Sequence, residues 1–327
     1  MKTAMLIPAL FVVGAVGAVG AVRTGRPQAP AMVPAADYHQ HLFSPAITDG
    51  GKTRPSITAK DLIPLLDAAG IRKALVLSLA YQYGNPNRPP VENEYERVKA
   101  ENDWTSAQIA AYPDRLYAFC SVNPLKSYAL DEIARCGKDA HLRRGLKMHF
   151  GNSDVDLSKP DHIGRLKAVF ALANRQGMAI VVHMRASVTM KREYGASRAR
   201  AFIDDVLPAA PDVPVQVAHL GGAGGYNDPG ADEVMGVFVE AIAKKDPRVA
   251  RVHIDVSGVA GLGDWRPRAA LIASRIRALG VERVVFGSDG AGGPNPTPQQ
   301  AWAAFRELPL TEAEFRTIAG NVVPYVR

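Results

Sequence analysis

The chain has 327 residues, which suits two average domains or one large α/β barrel, and its 47% hydrophobic and 22% charged content excludes a disordered or fibrous protein. Two cysteines exclude a disulfide framework and a cysteine-based structural zinc site. The formal charge of +7 is spread in short pairs such as Arg143-Arg144 and Lys244-Lys245, which argues against nucleic-acid binding and for solubility or a mild pull on anionic substrates.

In chain order, Met1-Lys2-Thr3 is a short basic start, and no charge occurs from Ala4 to Val22, a stretch rich in Ala, Val and Gly. This pattern predicts an export signal, with residues 1–31 as signal and linker and 32–327 as the folded domain. A true start at Met32 is the alternative. Export implies a periplasmic or secreted protein, with membrane contact only if the segment stays uncleaved. In such a compartment Cys120 and Cys136 can pair, but apolar flanks favour two separately buried thiols.

After Met32, runs rich in β-branched residues alternate with amphipathic stretches. Strands are expected at 33–41, 73–81, 115–122, 144–151, 178–185, 213–220, 249–257 and 282–289. Helices are expected at 59–69, 90–111, 129–140, 163–176, 198–207, 232–244, 267–279, 298–307 and 311–319. This rhythm predicts an α/β fold, a single (β/α)8 TIM barrel; a doubly wound open sheet is the alternative, because alternation does not show closure. No Pro/Ser-rich linker divides the chain.

Five of the eight histidines fall at expected strand ends. Asp37-Tyr38-His39-Gln40-His41 closes the first strand, and period-two alternation puts Asp37, His39 and His41 on one face. His183 ends the fifth strand, His219 the sixth and Asp289 the eighth. In a barrel these ends meet at the C-terminal mouth, where imidazoles and a carboxylate can hold one divalent ion: Zn2+, with Mn2+ and Fe2+ as alternatives. Taken singly, each residue has a plain structural role available, such as a hydrogen-bonded core histidine or, for Asp289, a turn; their coincidence at strand ends favours a metal site.

The ordered set Asp37-x-His39-x-His41, Gly145-Leu146-Lys147-Met148-His149, His183, His219 and Gly287-Ser288-Asp289 resembles the amidohydrolase superfamily of metal-dependent barrels, and most closely its amidohydrolase-related branch, which also contains decarboxylases. The resemblance runs from about Pro34 to the C-terminus, including Gly320-Asn321. It implies that His39, His41, His183 and Asp289 hold one metal, with His219 as a catalytic imidazole or one supporting the ligands.

From these positions a metal-activated water can attack an amide, lactone or ester carbonyl, with Asp289 moving the proton and His219 polarising the carbonyl. In a decarboxylase, the same metal would bind the substrate's oxygens, and His219 or Asp289 would supply the proton that replaces CO2. Lys147 stands where binuclear superfamily members carry a carboxylated lysine; the plainer reading is an ammonium that binds substrate or pairs with an acid. His149 lines the pocket or merely caps its strand. Arg185, two residues past His183, can clamp a substrate carboxylate or lie at the surface.

Gly221 to Tyr226 fits no phosphate-loop pattern and reads as a mouth loop. Tyr81, Tyr83 and Trp265 are candidate aromatic walls, and the face of strand seven carrying His253, Asp255 and Ser257 is left unassigned. The branch often has proline just after the strand-four histidine and soon after the strand-eight aspartate; here Phe150 follows His149 and proline waits until Pro294, so a substrate does not transfer by analogy. The leading expectation is a metal-dependent hydrolase of a small organic substrate, one that can carry a carboxylate. A non-oxidative decarboxylase comes second and a non-catalytic periplasmic binding barrel third. Homo-oligomer formation is left open.

Overall fold

The computed structural model describes residues 32–186, 192–290 and 295–326. The expected export signal lies outside the described residues. No helix among the described residues is long and apolar enough to cross a membrane.

Eight parallel strands form one sheet in chain order: β1 (Asp37–Gln40), β2 (Ala74–Leu77), β3 (Leu116–Ser121), β4 (Gly145–His149), β5 (Ala179–His183), β6 (Val215–Val217), β7 (Val252–Asp255) and β8 (Val284–Val285). The last strand meets the first through backbone bonds from Tyr38 N to Phe286 O and from Asp289 N to His39 O, both 2.8 Å. The sheet is therefore a nearly closed barrel, not the open-sheet alternative. Every strand lies inside its expected run but is shorter, because ladder pairing stops before the apolar run does.

Helices α1 (Ala59–Ala68), α2 (Glu94–Ala110), α3 (Ala129–Cys136), α4 (Pro160–Arg175), α5 (Ala196–Ala201), α6 (Pro229–Ala243), α7 (Ala269–Leu279), α8 (Pro298–Phe305) and α9 (Glu312–Gly320) match the expected segments. One differs in kind: the segment expected at 198–207 is α-helical only to Ala201, then winds as a π turn over Phe202–Val206. Pro208 follows closely and cannot donate a backbone bond to continue the helix.

Period-two alternation sorts the strand residues into two cores. Leu75, Leu77, Tyr117, Phe119, Ala179 and Val181 fill the barrel interior with Tyr325 and Val326 from the C-terminal end. Ala74, Val76, Leu116, Ala118, Cys120, Leu146, Met148, Ile180 and Val182 face outward into the layer under the helices. A Cβ on Gly145 would come within 2.3 Å of the Phe119 ring, so the smallest residue is needed where that ring crosses β4.

The same alternation corrects the expectation for the cysteines. Cys120 points outward from β3, and Cys136 lies on the buried stripe of α3 with Ala129 and Ile133. The helix covers the strand that precedes it, so the two sulfurs meet and form a disulfide, with Cα atoms 6.1 Å apart.

Candidate active site

The strand ends bring His39, His41, Lys147, His149, His183, His219 and Asp289 to the lining of one cavity of about 320 Å³ at the C-terminal rim. Ligand atoms of His39, His219 and Asp289 lie within 4.8 Å of one another, so these three could hold a metal. His41 Nε2 faces Asp289 Oδ1 at 3.7 Å, too far for a hydrogen bond. His183 stacks on His149 with ring centroids 3.8 Å apart and lies 5.1 Å from the His219 ring.

Four of these imidazoles, His39, His41, His149 and His183, are held neutral. Burial first, then the Lys147 charge, lowers His39 and His41 to about 3 each; for His41 the Arg54 charge adds to this. Burial also pushes His149 and His183 well below the usual histidine range, helped by Lys147 and His219 at His149 and by the neighbouring imidazoles at His183. Neutral rings keep a lone pair for a cation. His183 Nε2 is buried and has no hydrogen-bond partner, the kind of orphan that a bound ion satisfies. The donor set of imidazole nitrogens and one carboxylate therefore fits a divalent metal.

Two of these residues have strained backbones. His219 and Asp289 have φ of 57° and 56°, in the left-handed region that non-glycine residues rarely adopt. His219 opens the 3-10 turn His219–Gly221 just after β6 and lines the cavity. Asp289 follows Ser288, which is tied back to β1: Ser288 N and Oγ donate to the Asp37 carboxylate at 3.0 and 2.6 Å. Such outliers persist only where surrounding contacts over-determine them, and they cluster at functional sites.

Beneath the cavity, Asp255 of β7 organises the imidazoles. Its Oδ2 lies 3.0 Å from His39 Nδ1 and accepts from Gln216 Nε2 at 2.6 Å. Its Oδ1 accepts from His219 N, Ser257 N and Ser257 Oγ. Burial alone would push this carboxyl up, but His39 and His219 outweigh it and hold it well below the usual carboxylate range. The chain of contacts continues downward, since Tyr325 OH donates to Gln216 Oε1. Thus Asp255 and Ser257 belong to the site, whereas His253 is only half-buried on the same strand.

Asp37 does not join His39 and His41 in lining the cavity. It is fully buried and accepts from Gln40, Ser288 and the His39 backbone; burial, more than these donors can offset, pushes its carboxyl up to about 6. Lys147 Nζ lies 3.4 Å from His39 Nε2, and burial lowers its ammonium to about 8.

Arg185 is paired inside the fold: it is 4% exposed, its Nε is 2.6 Å from Asp228 Oδ2, and its guanidinium lies over the Tyr194 ring. A buried guanidinium needs a paired carboxylate, and that requirement takes it away from the cavity lining. Of the three candidate aromatic walls, Tyr81 lines the cavity, while Trp265 is buried in the outer core and Tyr83 packs against that core. Phe43, Arg54, Gln82, Asn152 and Asn295 also line the cavity. Sequence reasoning passed over them because loop residues carry no periodicity that shows which way they point.

A parallel barrel with a histidine-rich carboxyl-end rim and an aspartate after its last strand defines an enzyme of the metal-dependent barrel class. The amidohydrolase family model matches residues 36–321, and the chain belongs to that family. No curated protein matches the chain.

Among solved structures, the 5-carboxyvanillate decarboxylase of Sphingomonas paucimobilis is similar at 16% identity and a TM-score of 0.61, covering 88% of this chain and 97% of its own. A probable 2-pyrone-4,6-dicarboxylic acid hydrolase of Acinetobacter baumannii, with citric acid bound, shares 17% identity at a TM-score of 0.55, over 88% of this chain and 96% of that one. An amidohydrolase of Burkholderia multivorans with bound zinc shares 13% identity at a TM-score of 0.58, with coverages of 88% and 96%. At these identities the similarity establishes the fold.

Proposed function

We propose that the protein is a metal-dependent hydrolase of a small organic substrate with an amide, lactone or ester carbonyl, holding one divalent ion, Zn2+ in preference to Mn2+ or Fe2+, through His39, His41, His183 and Asp289. The observation that carries this reading is the meeting of His39, His219 and Asp289 ligand atoms within 4.8 Å in a cavity that His41 and His183 also line. When bound, the metal supplies Lewis acidity and a water that ionises near neutral pH.

The chain's own residues do the rest. Asp255 fixes His39 through Nδ1, which leaves its Nε2 lone pair toward the cavity. His219 Nδ1 donates to the Ser257 carbonyl at 2.8 Å, which fixes the ring with its Nε2 edge toward the cavity and the substrate. Asp289 accepts a proton from water and returns it to the leaving group. Lys147 and His149 contact the substrate inside the cavity.

A second reading is favoured by the cationic lining: Lys147 and Arg54 stand beside one carboxylate, Asp289, as a site that binds a carboxylate-bearing substrate would need. With a carboxylate as the group lost, the reaction is a non-oxidative decarboxylation, the activity named for the Sphingomonas neighbour. A panel of esters, lactones, amides and aromatic carboxylates, assayed with each metal in 18O-labelled water, separates the two readings. The expected result is 18O in the product, lost on chelation and in the His39→Ala/His41→Ala double variant. Full activity in that variant, or CO2 release without 18O incorporation, overturns the hydrolase reading.

The reading includes export. The charge-free stretch from Ala4 to Val22 and the Cys120–Cys136 disulfide both support an oxidising compartment outside the cytoplasm. Cell fractionation checks it: recovery of the chain in the cytosol with residues 1–31 still attached refutes export.

A further inference from the structure

With Arg185 committed to Asp228, the arginine that can meet a substrate anion lies elsewhere. We propose that Arg54 is the anion-binding residue of this cavity, taking a carboxylate that the substrate carries at the end remote from its reacting carbonyl. This rests on the reading of the cavity as an active site.

Arg54 belongs to the excursion between β1 and α1. That excursion is closed at its neck by the antiparallel pair Phe43 and Ile57, whose two N–H···O bonds are each 2.9 Å. The Arg54 guanidinium carbon sits 4.4 Å from the centre of the Phe43 ring, so the half-buried cation is held against the neck of the loop that carries it. Arg135, Arg185 and Arg275 each have a carboxylate within ion-pair distance, whereas Arg54 has none among the described residues. An arginine that is oriented, partly desolvated and unpaired retains its full fork of donors for a planar oxyanion.

Its position gives the substrate a direction. Arg54, Phe43, Leu79 and Gln82 line both the histidine cavity and an adjoining cavity of about 400 Å³ that extends to Arg88. Arg54 therefore stands where the inner space opens to the outer one, while the imidazoles and Asp289 lie within. Asp289 is the one carboxylate among the described residues lining the two spaces, against Arg54, Arg88 and Lys147. A cleft of that sign raises the local concentration of anions. The ligand class is a small organic acid with its carboxylate on Arg54, its body along Phe43, Leu79 and Tyr81, and its reacting group at the histidines.

The test is a set of paired ligands. The monomethyl esters of succinate, glutarate, adipate and isophthalate, each alongside its dimethyl ester, are titrated calorimetrically into the full-length protein, zinc-loaded and metal-free. In the wild type, at least one monoester is expected to bind about tenfold or more tighter than its diester, as one charge-assisted contact requires. The ratio should fall toward one in Arg54→Gln and lie between in Arg54→Lys, which keeps the charge and loses the fork. A wild-type ratio near one for every pair, or a ratio that survives in Arg54→Gln, overturns the assignment. If the ratio behaves as expected but no metal or substrate supports turnover, the enzymatic reading fails and Arg54 stands; turnover with an insensitive ratio removes Arg54 alone.

Discussion

Replacing Asp255 with asparagine tests the support beneath the imidazoles. Each carboxylate oxygen accepts from at least two donors: Oδ2 from Gln216 Nε2 and His39 Nδ1, Oδ1 from the His219 and Ser257 backbone N–H groups and Ser257 Oγ. An asparagine must turn its NH2 toward one pair of donors. The backbone pair cannot move, so the amide is expected to face His39 and Gln216. His39 can then make peace with it only by moving its proton to Nε2, which removes the lone pair that points to the cavity and to Lys147. One or two buried donors left unmatched cost about 1–3 kcal/mol each, and loss of a carboxylate behind a ligating histidine costs about 10–100-fold in metal affinity. Asp255→Asn is therefore expected to lose about 1–6 kcal/mol in denaturant unfolding. Zinc affinity should fall by the stated factor, and nitrogen-15 NMR should show the His39 tautomer reversed. Wild-type zinc affinity with an unchanged tautomer would refute the argument that Asp255 sets the ring.

Three further outcomes follow from the same structure. Because His39 and His41 are lowered to about 3 and His149 and His183 also well below 6.5, stability from these groups is full above pH 6.5 and is lost as pH falls toward their folded values. Asp37 and Glu101, pushed up to about 6 and about 7, act in the opposite sense, but two carboxyls do not offset four imidazoles. With His253, also lowered to about 4, unfolding takes up about three protons net, or about 4 kcal/mol per pH unit, so chelated protein titrated with urea from pH 7 to pH 5 should destabilise steeply, and a flat profile contradicts the assignment. Reducing the Cys120–Cys136 bond, which closes a 16-residue separation, is expected to cost about 3 kcal/mol in the same unfolding assay; a change below about 0.5 kcal/mol would show that the surrounding core already restrains the loop. A Cβ on Gly287 would lie 2.8 Å from His39 Cβ and 3.2 Å from His39 N, so Gly287→Ala should displace β1, costing about 1–3 kcal/mol and lowering metal affinity; unchanged affinity would mean that β1 yields without moving its histidines.

The amino-acid pattern alone was enough for the repeating strand and helix order, since each βα unit carries its own period-two and helical signals over a dozen or so residues. It was also enough for the candidate imidazoles and Asp289, because barrel chemistry gathers at strand ends and strand ends are legible as the places where apolar runs stop. Three things were decided only in three dimensions. The role of Asp255 depends on which face of β7 points inward, and alternation tells that two faces exist without saying which is which. The Cys120–Cys136 bond had a readable signal, one residue on the outward face of β3 and one on the buried stripe of α3, but required the helix to be laid over its strand before the two could meet. The places of Arg185 and Arg54 have a long-range reason: Asp228, 43 residues beyond Arg185, pairs with the first guanidinium, while the excursion pinned by Phe43 and Ile57 delivers the second to the cavity. Local periodicity determines which elements form; the partner of a charged side chain is set by residues far away along the chain, and only the closed barrel brings them within reach.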